Sequence, residues 1–375
     1  MEKDPNTPLL LGQKDLAVLF EHLKSKGYQN VGNVFRDGAL MIEKVENFDD
    51  LATGYTEEIG RGHYRVRQTD ETTLFQYTVG PSTFKKFLNP PKRKLWSSKR
   101  SSQGFEVIPE EVDPPKYVFW GIRSCELKAI DILDRVFLHG DFVNPWYKKA
   151  KESLVTIAAS CTKPSPNCFC TSTHSGPKPR QGFDLSLTEI IKEGNNAQYI
   201  AEVGSKTMQK IAQKLKFKTA KQESRDSAQE LMQKATENMK LRFQPQDAAQ
   251  SLKNNLEHPH WEKVAQRCLS CANCTMVCPT CFCTTVEDVT DITGDHTERW
   301  ARWDSCFNSE FSYIHGGKIR NSTRSRYRQW LTHKFSSWYD QYGTFGCIGC
   351  GRCITWCPVG IDLTEEFAKI KTGES

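Results

Sequence analysis

The sequence predicts an α+β protein: a mixed α/β N-terminal domain over residues 1–245, then a smaller, mostly helical, cysteine-rich domain over residues 246–375. Three observations carry this. Helix-like and strand-like patterns alternate along the first half. The stretch 205–253 is rich in Lys, Gln, Glu and Ala and reads as a helical connector ending the first domain. Beyond it, cysteines recur in two copies of one spacing, parted by an insertion over 284–340.

The elements follow in order. Residues 15–26 place Leu16, Leu19, Phe20 and Leu23 at helical spacing, with Gly27 set to stop the helix. Residues 34–45, broken by Asp37-Gly38, read as a hairpin. Strands are expected at 64–68, 73–79, 117–122, 153–159 and 199–203, and a helix at 126–135. Pro259-His-Trp-Glu opens a short helix that delivers Cys268.

The chain has fifteen cysteines, an odd number that argues against a disulfide framework and for metal or redox chemistry. Cys268, Cys271, Cys274 and Cys278 precede Pro279, and Cys347, Cys350, Cys353 and Cys357 precede Pro358. Each reads C-x₂-C-x₂-C-x₃-C-P, the spacing of two-cluster bacterial ferredoxins, in which the fourth cysteine serves the other cluster. Three thiolates two residues apart coil around one face of a cubane, and the proline keeps the chain from coiling back. The expected ligand sets are therefore Cys268, Cys271, Cys274 and Cys357 for one [4Fe–4S] cluster, and Cys347, Cys350, Cys353 and Cys278 for the other. Zinc knuckles would leave the third and fourth cysteines of each motif without a role.

Seven cysteines remain: Cys125, Cys161, Cys168, Cys170, Cys281, Cys283 and Cys306. They are candidates for a third iron–sulfur cluster, and the sequence does not select four of them. Buried structural thiols or a lone zinc site are the competing reading.

The formal charge of +6 shrinks once each cluster is counted at about −2. Nucleic-acid binding, with Tyr327 and Trp330 as stacking candidates, is accordingly disfavoured. The basic residues of 318–334 are better placed to offset cluster charge or to dock an acidic partner. Those of 85–100, Lys85 among them, take the same account, with a plain solvated loop as its strongest competitor. Gly343, Gly346, Gly349 and Gly351 flank cysteines where backbone must approach sulfur. No dinucleotide fingerprint or Walker loop appears. No apolar run approaches the length of a membrane span, and a cytoplasmic location is the expectation.

The run from Cys268 through Cys-Pro-Thr-Cys-Phe-Cys283, with Trp303-Asp-Ser-Cys306, Gly316-Gly317, Arg326-Tyr-Arg328 and Cys347-Ile-Gly-Cys-Gly-Arg-Cys353, resembles the β subunit of cytoplasmic nickel–iron hydrogenases of the sulfhydrogenase type. It equally resembles the electron-transfer subunit of anaerobic sulfite reductase. The likeness continues upstream through Phe84-Lys-Lys-Phe-Leu-Asn-Pro-Pro91, Gly121-Ile-Arg-Ser-Cys-Glu126, Cys161, Cys168-Phe-Cys170 and Gly182-Phe-Asp-Leu185. The resemblance implies a non-catalytic subunit that relays single electrons. Its partners would be a flavin, NAD(P)H-binding subunit on one side, with a nickel–iron catalytic subunit on the other, or a sirohaem subunit in the sulfite reductase case. It also implies a third cluster, because the seven extra cysteines match family positions. A self-contained iron–sulfur oxidoreductase is the rival from another class.

Overall fold

The computed structural model describes residues 7–192, 196–239 and 245–372. The chain first lays down β1 (Leu9–Gly12), helix α1 (Gln13–Ser25), and strands β2 (Gln29–Arg36) and β3 (Ala39–Lys44). A hairpin of β4 (Tyr55–Gly60) and β5 (His63–Gln68) follows, then the short α2 (Lys85–Leu88), β6 (Lys92–Ser101) and β7 (Gly104–Pro109). Next come β8 (Tyr117–Arg123), α3 (Ser124–Phe137), α4 (Pro145–Glu152) and β9 (Val155–Ala159). Strands β10 (Leu185–Lys192) and β11 (Asn196–Val203) lead through α5 (Lys206–Lys214), β12 (Lys218–Thr219) and α6 (Gln222–Glu237).

Eight strands form one mixed sheet, ordered β12-β1-β11-β10-β9-β8-β2-β3. Its middle, β2-β8-β9-β10, is parallel, and parallel strands need both faces covered. The apolar stripe of α1, Leu16, Leu19, Phe20 and Leu23, packs on one face with Val118, Trp120, Ile157 and Leu187. On the other, Leu127, Ile130 and Leu133 of α3 and Tyr147 of α4 pack with Tyr117, Phe119 and Ile122. The sheet's C-terminal edge, where β8 and β9 end, is where open α/β sheets bind ligands.

One strand expected from the sequence is not there. Residues 73–79 are buried but irregular, because side chains take their backbone groups. The Glu189 carboxylate accepts from the Leu74 and Phe75 N–H at 2.7 and 3.0 Å, and Glu57 accepts from the Thr78 N–H at 2.6 Å. Arg123 donates to the carbonyls of Phe75 and Tyr77 at 3.1 and 2.6 Å. A segment satisfied this way needs no ladder partner.

The C-terminal part begins with α7 (Pro245–Asn254) and α8 (His260–Arg267), and carries α9 (Asn273–Met276) in the first cysteine motif. Residues 240–244, just before the expected domain junction, lie outside the described residues. The insertion holds a hairpin of β13 (Thr284–Thr290) and β14 (His296–Trp303), then β15 (Tyr313–Ile314) and β16 (Gly317–Lys318). Helix α10 (Thr323–Thr332) runs through a π-helical turn, His333–Ser337, into α11 (Trp338–Tyr342). Helices α12 (Arg352–Thr355) and α13 (Leu363–Thr372) complete the chain. Trp261, Val264, Tyr327, Trp330, Leu331, Phe335, Ile354 and Phe367 make the core of this half.

The two halves interlock. Strand β14 pairs with β6, giving a four-stranded antiparallel sheet β13-β14-β6-β7 built from both ends of the chain. The basic stretch 85–100 is therefore no solvated loop. Its second part is strand β6, and Lys85 is 4% exposed.

Candidate iron–sulfur centres

Helix α8 stops at Cys268, and the chain then curls through Cys271 and Cys274. Ser270 and Ala272 take left-handed φ angles of 51° and 67° on either side of Cys271. The same positions around Cys350 are Gly349 and Gly351, with φ of 62° and 73°. The two motifs thus share a backbone path as well as a spacing. Only the second needs glycine for space: a Cβ at Gly349 would lie 2.6 Å from the Phe169 carbonyl, and one at Gly351 2.7 Å from that of Asn167. These glycines let the second motif dock on another loop, in addition to the Gly349 N–H donating to Cys347 Sγ at 3.4 Å. Gly346 makes room for a ring, since its Cβ would sit 2.3 Å from Trp338. In the first motif the corresponding side is open: Cys271 is exposed and Leu269 is 63% exposed.

The thiols gather in separate places. Cys268, Cys271, Cys274 and Cys357 line one pocket walled by Phe307, Tyr327 and Trp330, with Cys353 at its edge. Cys278, Cys347, Cys350 and Cys353 line a second, together with Lys334, Arg352 and Phe169. Cys357 thus shares a pocket with the first motif's leading cysteines, and Cys278 with the second's.

The seven remaining cysteines divide in two. Cys125 begins α3 just after β8 ends, and Cys161 follows the end of the neighbouring parallel strand β9. Cys168 and Cys170 lie in the loop after β9, which folds back so that the Phe169 N–H donates to the Gly349 carbonyl at 2.7 Å. The thiols of Cys125, Cys161, Cys168 and Cys170 face one another and also Cys350. A buried ion pair fastens this set to the second motif: Arg352 Nη2 meets Glu126 Oε1 at 3.0 Å, while Arg352 Nε donates to the Gly80 carbonyl at 3.0 Å. A cleft of about 700 Å³ opens beside the set, lined by Lys128, Asp131, His174, Lys178 and Arg180 among others. Cys281, Cys283 and Cys306 are elsewhere, at the open end of the β13–β14 hairpin.

The chemistry of the pockets fits anionic clusters. Burial pushes the thiols of Cys268, Cys274, Cys350 and Cys353 up, and that of Cys347 up to about 12. Buried thiols of this kind ionise when bound iron compensates their charge. Cys278 is held well below the ordinary value by a hydrogen bond from Cys281, with Lys334 adding its charge. Lys334 Nζ, 3% exposed as a residue, lies 3.2 Å from Cys278 Sγ and donates to the Gly346 carbonyl at 3.1 Å. A buried ammonium with no carboxylate beside it among the described residues calls for a negative centre in that pocket. The Tyr327 hydroxyl and Trp330 indole N–H line the first pocket without hydrogen-bond partners among the described residues, as donors to a bound anionic group would. Both rings are buried, so neither is a surface stacking platform. Among the described residues no three His, Cys, Asp or Glu side chains converge on a single ion. Thiolates of a cubane sit one per iron and need not converge.

Lys85, one of the basic residues read as able to offset cluster charge, donates to the Cys278 and Cys281 carbonyls at 3.0 and 2.8 Å; the grouping of Cys281, Cys283 and Cys306 is what the sequence left unresolved.

The fold and its pockets define an iron–sulfur electron-transfer protein. Residues 267–361 match the 4Fe-4S dicluster domain family, and the protein holds two [4Fe–4S] clusters. Over 359 residues the chain is 28% identical to Sulfhydrogenase 2 subunit beta of Pyrococcus furiosus, covering 94% of this chain and 95% of that one. The resemblance to hydrogenase β subunits therefore runs nearly end to end. No solved structure matches the chain. No helix among the described residues is long and apolar enough to cross a membrane.

Proposed function

We propose that this chain is the electron-relay subunit of a hydrogenase complex, passing single electrons between a nickel–iron subunit and a flavin subunit that exchanges hydride with NAD(P)H. The observation that carries the reading is the row of thiol sets. Cys125, Cys161, Cys168 and Cys170 abut Cys350 of the second set, and Cys353 of the second set reaches the pocket of the first. In this reading the first set is Cys268, Cys271, Cys274 and Cys357, the second is Cys278, Cys347, Cys350 and Cys353, and Cys125, Cys161, Cys168 and Cys170 hold a third cluster.

A row of this kind has two ends. One is the exposed Cys271, rimmed by Leu269 and Val359; the other is the third set beside the polar cleft. When bound, each cluster supplies one-electron steps, which a two-electron flavin donor needs in order to feed a metal centre. The chain's own groups set the potentials: Lys334 stabilises added negative charge at Cys278, and the N–H groups of Ser270, Gly349 and Ile361 donate to Cys268, Cys347 and Cys357 at 3.5, 3.4 and 3.3 Å.

The test is anaerobic isolation of the tagged protein with its bound subunits, followed by metal and flavin analysis. Co-purified flavin and nickel–iron subunits with about twelve irons per chain is the expected result. Sirohaem in place of nickel moves the chain to sulfite reduction. A lone chain with about eight irons overturns both the complex and the third cluster.

A further inference from the structure

Helix α10 and the turn that follows it face both cluster pockets. Tyr327 and Trp330, three residues apart, line the pocket of Cys268, Cys271, Cys274 and Cys357. Lys334, four residues further on, lines that of Cys278, Cys347, Cys350 and Cys353. Spacings of three and four put side chains on one face of a helix. The face is buried, with Tyr327, Trp330 and Lys334 only 2%, 4% and 3% exposed.

The helix is tied to the first motif itself. Ser322 caps its start by accepting the Ser325 N–H at 3.1 Å. Arg326 donates to the carbonyls of Arg320 and Asn321 at 3.0 and 2.9 Å, and to Ser270 Oγ at 3.4 Å. The Ser270 hydroxyl in turn donates to Thr323 Oγ1 at 3.1 Å, and Ser270 stands between Cys268 and Cys271. Ring packing fixes the same face from the other side. Phe307 lies 6.3 Å from the Tyr327 ring and 5.8 Å from that of Trp330, and those two are 5.5 Å apart.

The polar atoms of this wall have nothing else to bind. Among the described residues no charged side chain lines the first pocket. Asn273, also in its lining, donates away from it, to the Trp356 carbonyl at 3.3 Å. Tyr327 Oη and Trp330 Nε1 have no partner among the described residues. Buried tyrosine and tryptophan ordinarily place these groups on an acceptor. A wall needed only for packing would be more stable built of phenylalanine, as it is at Phe307, since a buried donor left unpaired is destabilising. The acceptors at hand are sulfurs: Cys268, Cys274 and Cys357 pack against the same ring cluster.

We propose that Tyr327 and Trp330 donate hydrogen bonds to the sulfurs of the first cluster and raise its potential. With Lys334 held 3.2 Å from Cys278 Sγ, one helix face then tunes both clusters. Each donor stabilises the added negative charge of the reduced state and so favours reduction. The proposal rests on the ligand set assigned above to the first cluster, and is independent of the third cluster and of the partner subunits.

The test uses the full chain, isolated anaerobically with its clusters, in ordinary and in heavy water. Pulsed electron–nuclear double resonance reads exchangeable hydrogens coupled to the reduced clusters, and an electron paramagnetic resonance titration reads the potentials. Tyr327→Phe and Trp330→Phe are each expected to lose one exchangeable coupling and to move one reduction wave to lower potential, with the parent's iron content. That wave differs from the one Lys334→Met moves. Where Trp330→Phe folds poorly, Tyr327→Phe, which removes a single oxygen, decides. Unchanged couplings and potentials in Tyr327→Phe overturn the proposal. So does iron lost from that variant, which makes the ring a wall of the pocket, and so does a shift of the Lys334 wave instead. These results leave the hydrogenase relay standing, because that reading fails only on the subunits and irons recovered with the tagged protein.

Discussion

Removing the Glu126 carboxylate while Arg352 stays in place tests whether the third thiol set and the second motif form one unit. The two side chains are 4% and 1% exposed, and their oxygen and nitrogen are 3.0 Å apart. Arg352 keeps its bonds to the Gly80 and Ser82 carbonyls, so Glu126→Ala leaves a buried guanidinium held in place but uncompensated. Breaking a buried pair from one side costs about 3–5 kcal/mol. At roughly 2–4 °C per kcal/mol, the melting temperature should fall by about 6–20 °C. Anaerobic thermal unfolding of the cluster-loaded protein measures this. Iron content should fall too, because Glu126 adjoins Cys125. A paired change, Glu126→Leu with Arg352→Met, should recover much of the loss, since apolar replacements of a buried pair are often neutral. A single variant within about 0.5 kcal/mol of the parent, the range of an inconsequential surface change, would refute the reasoning. So would a double variant as unstable as the single one.

Other outcomes follow from the same geometry. Lys334→Met keeps the buried volume but removes the ammonium 3.2 Å from Cys278 Sγ; an electron paramagnetic resonance titration should find one cluster harder to reduce, with the others unmoved. Gly349→Ala places a Cβ 2.6 Å from the Phe169 carbonyl in a left-handed turn. The conformation alone costs roughly 1–2 kcal/mol, so denaturant unfolding should show at least that loss. Burial lowers the His333 pKa, with the charge of Lys334 adding to it. Its stabilising share is then full above the unfolded value near 6.5 and is lost as pH falls through the lower folded value. Urea midpoints should drop on going from pH 8 to pH 5, and less so for His333→Gln.

The eight cysteines of the two motifs were legible because a short, fixed spacing does chemical work locally. The set of Cys125, Cys161, Cys168 and Cys170 was not selectable, since two of its members come from the ends of adjacent parallel strands and meet only once the sheet is built. Residues 73–79 looked like a strand because they are apolar enough to be buried; the carboxylates of Glu189 and Glu57, distant in sequence, took the backbone groups that a ladder would use. The β13–β14 hairpin escaped notice for the opposite reason. Its strands carry Glu287, Asp288, Arg299 and Arg302, whose ion pairs across the hairpin leave little apolar alternation to read.

The pairing of β14 with β6 bears on how the protein is made. The third set's loop waits for Gly349 and Gly351 to close over it, and β6 waits for a strand synthesised long after it. The N-terminal half therefore leaves the ribosome with its thiols uncovered and one sheet incomplete. Closure covers the second and third sets, whereas the first keeps Cys271 exposed. A chain folded without its clusters would close those walls around buried, protonated thiols.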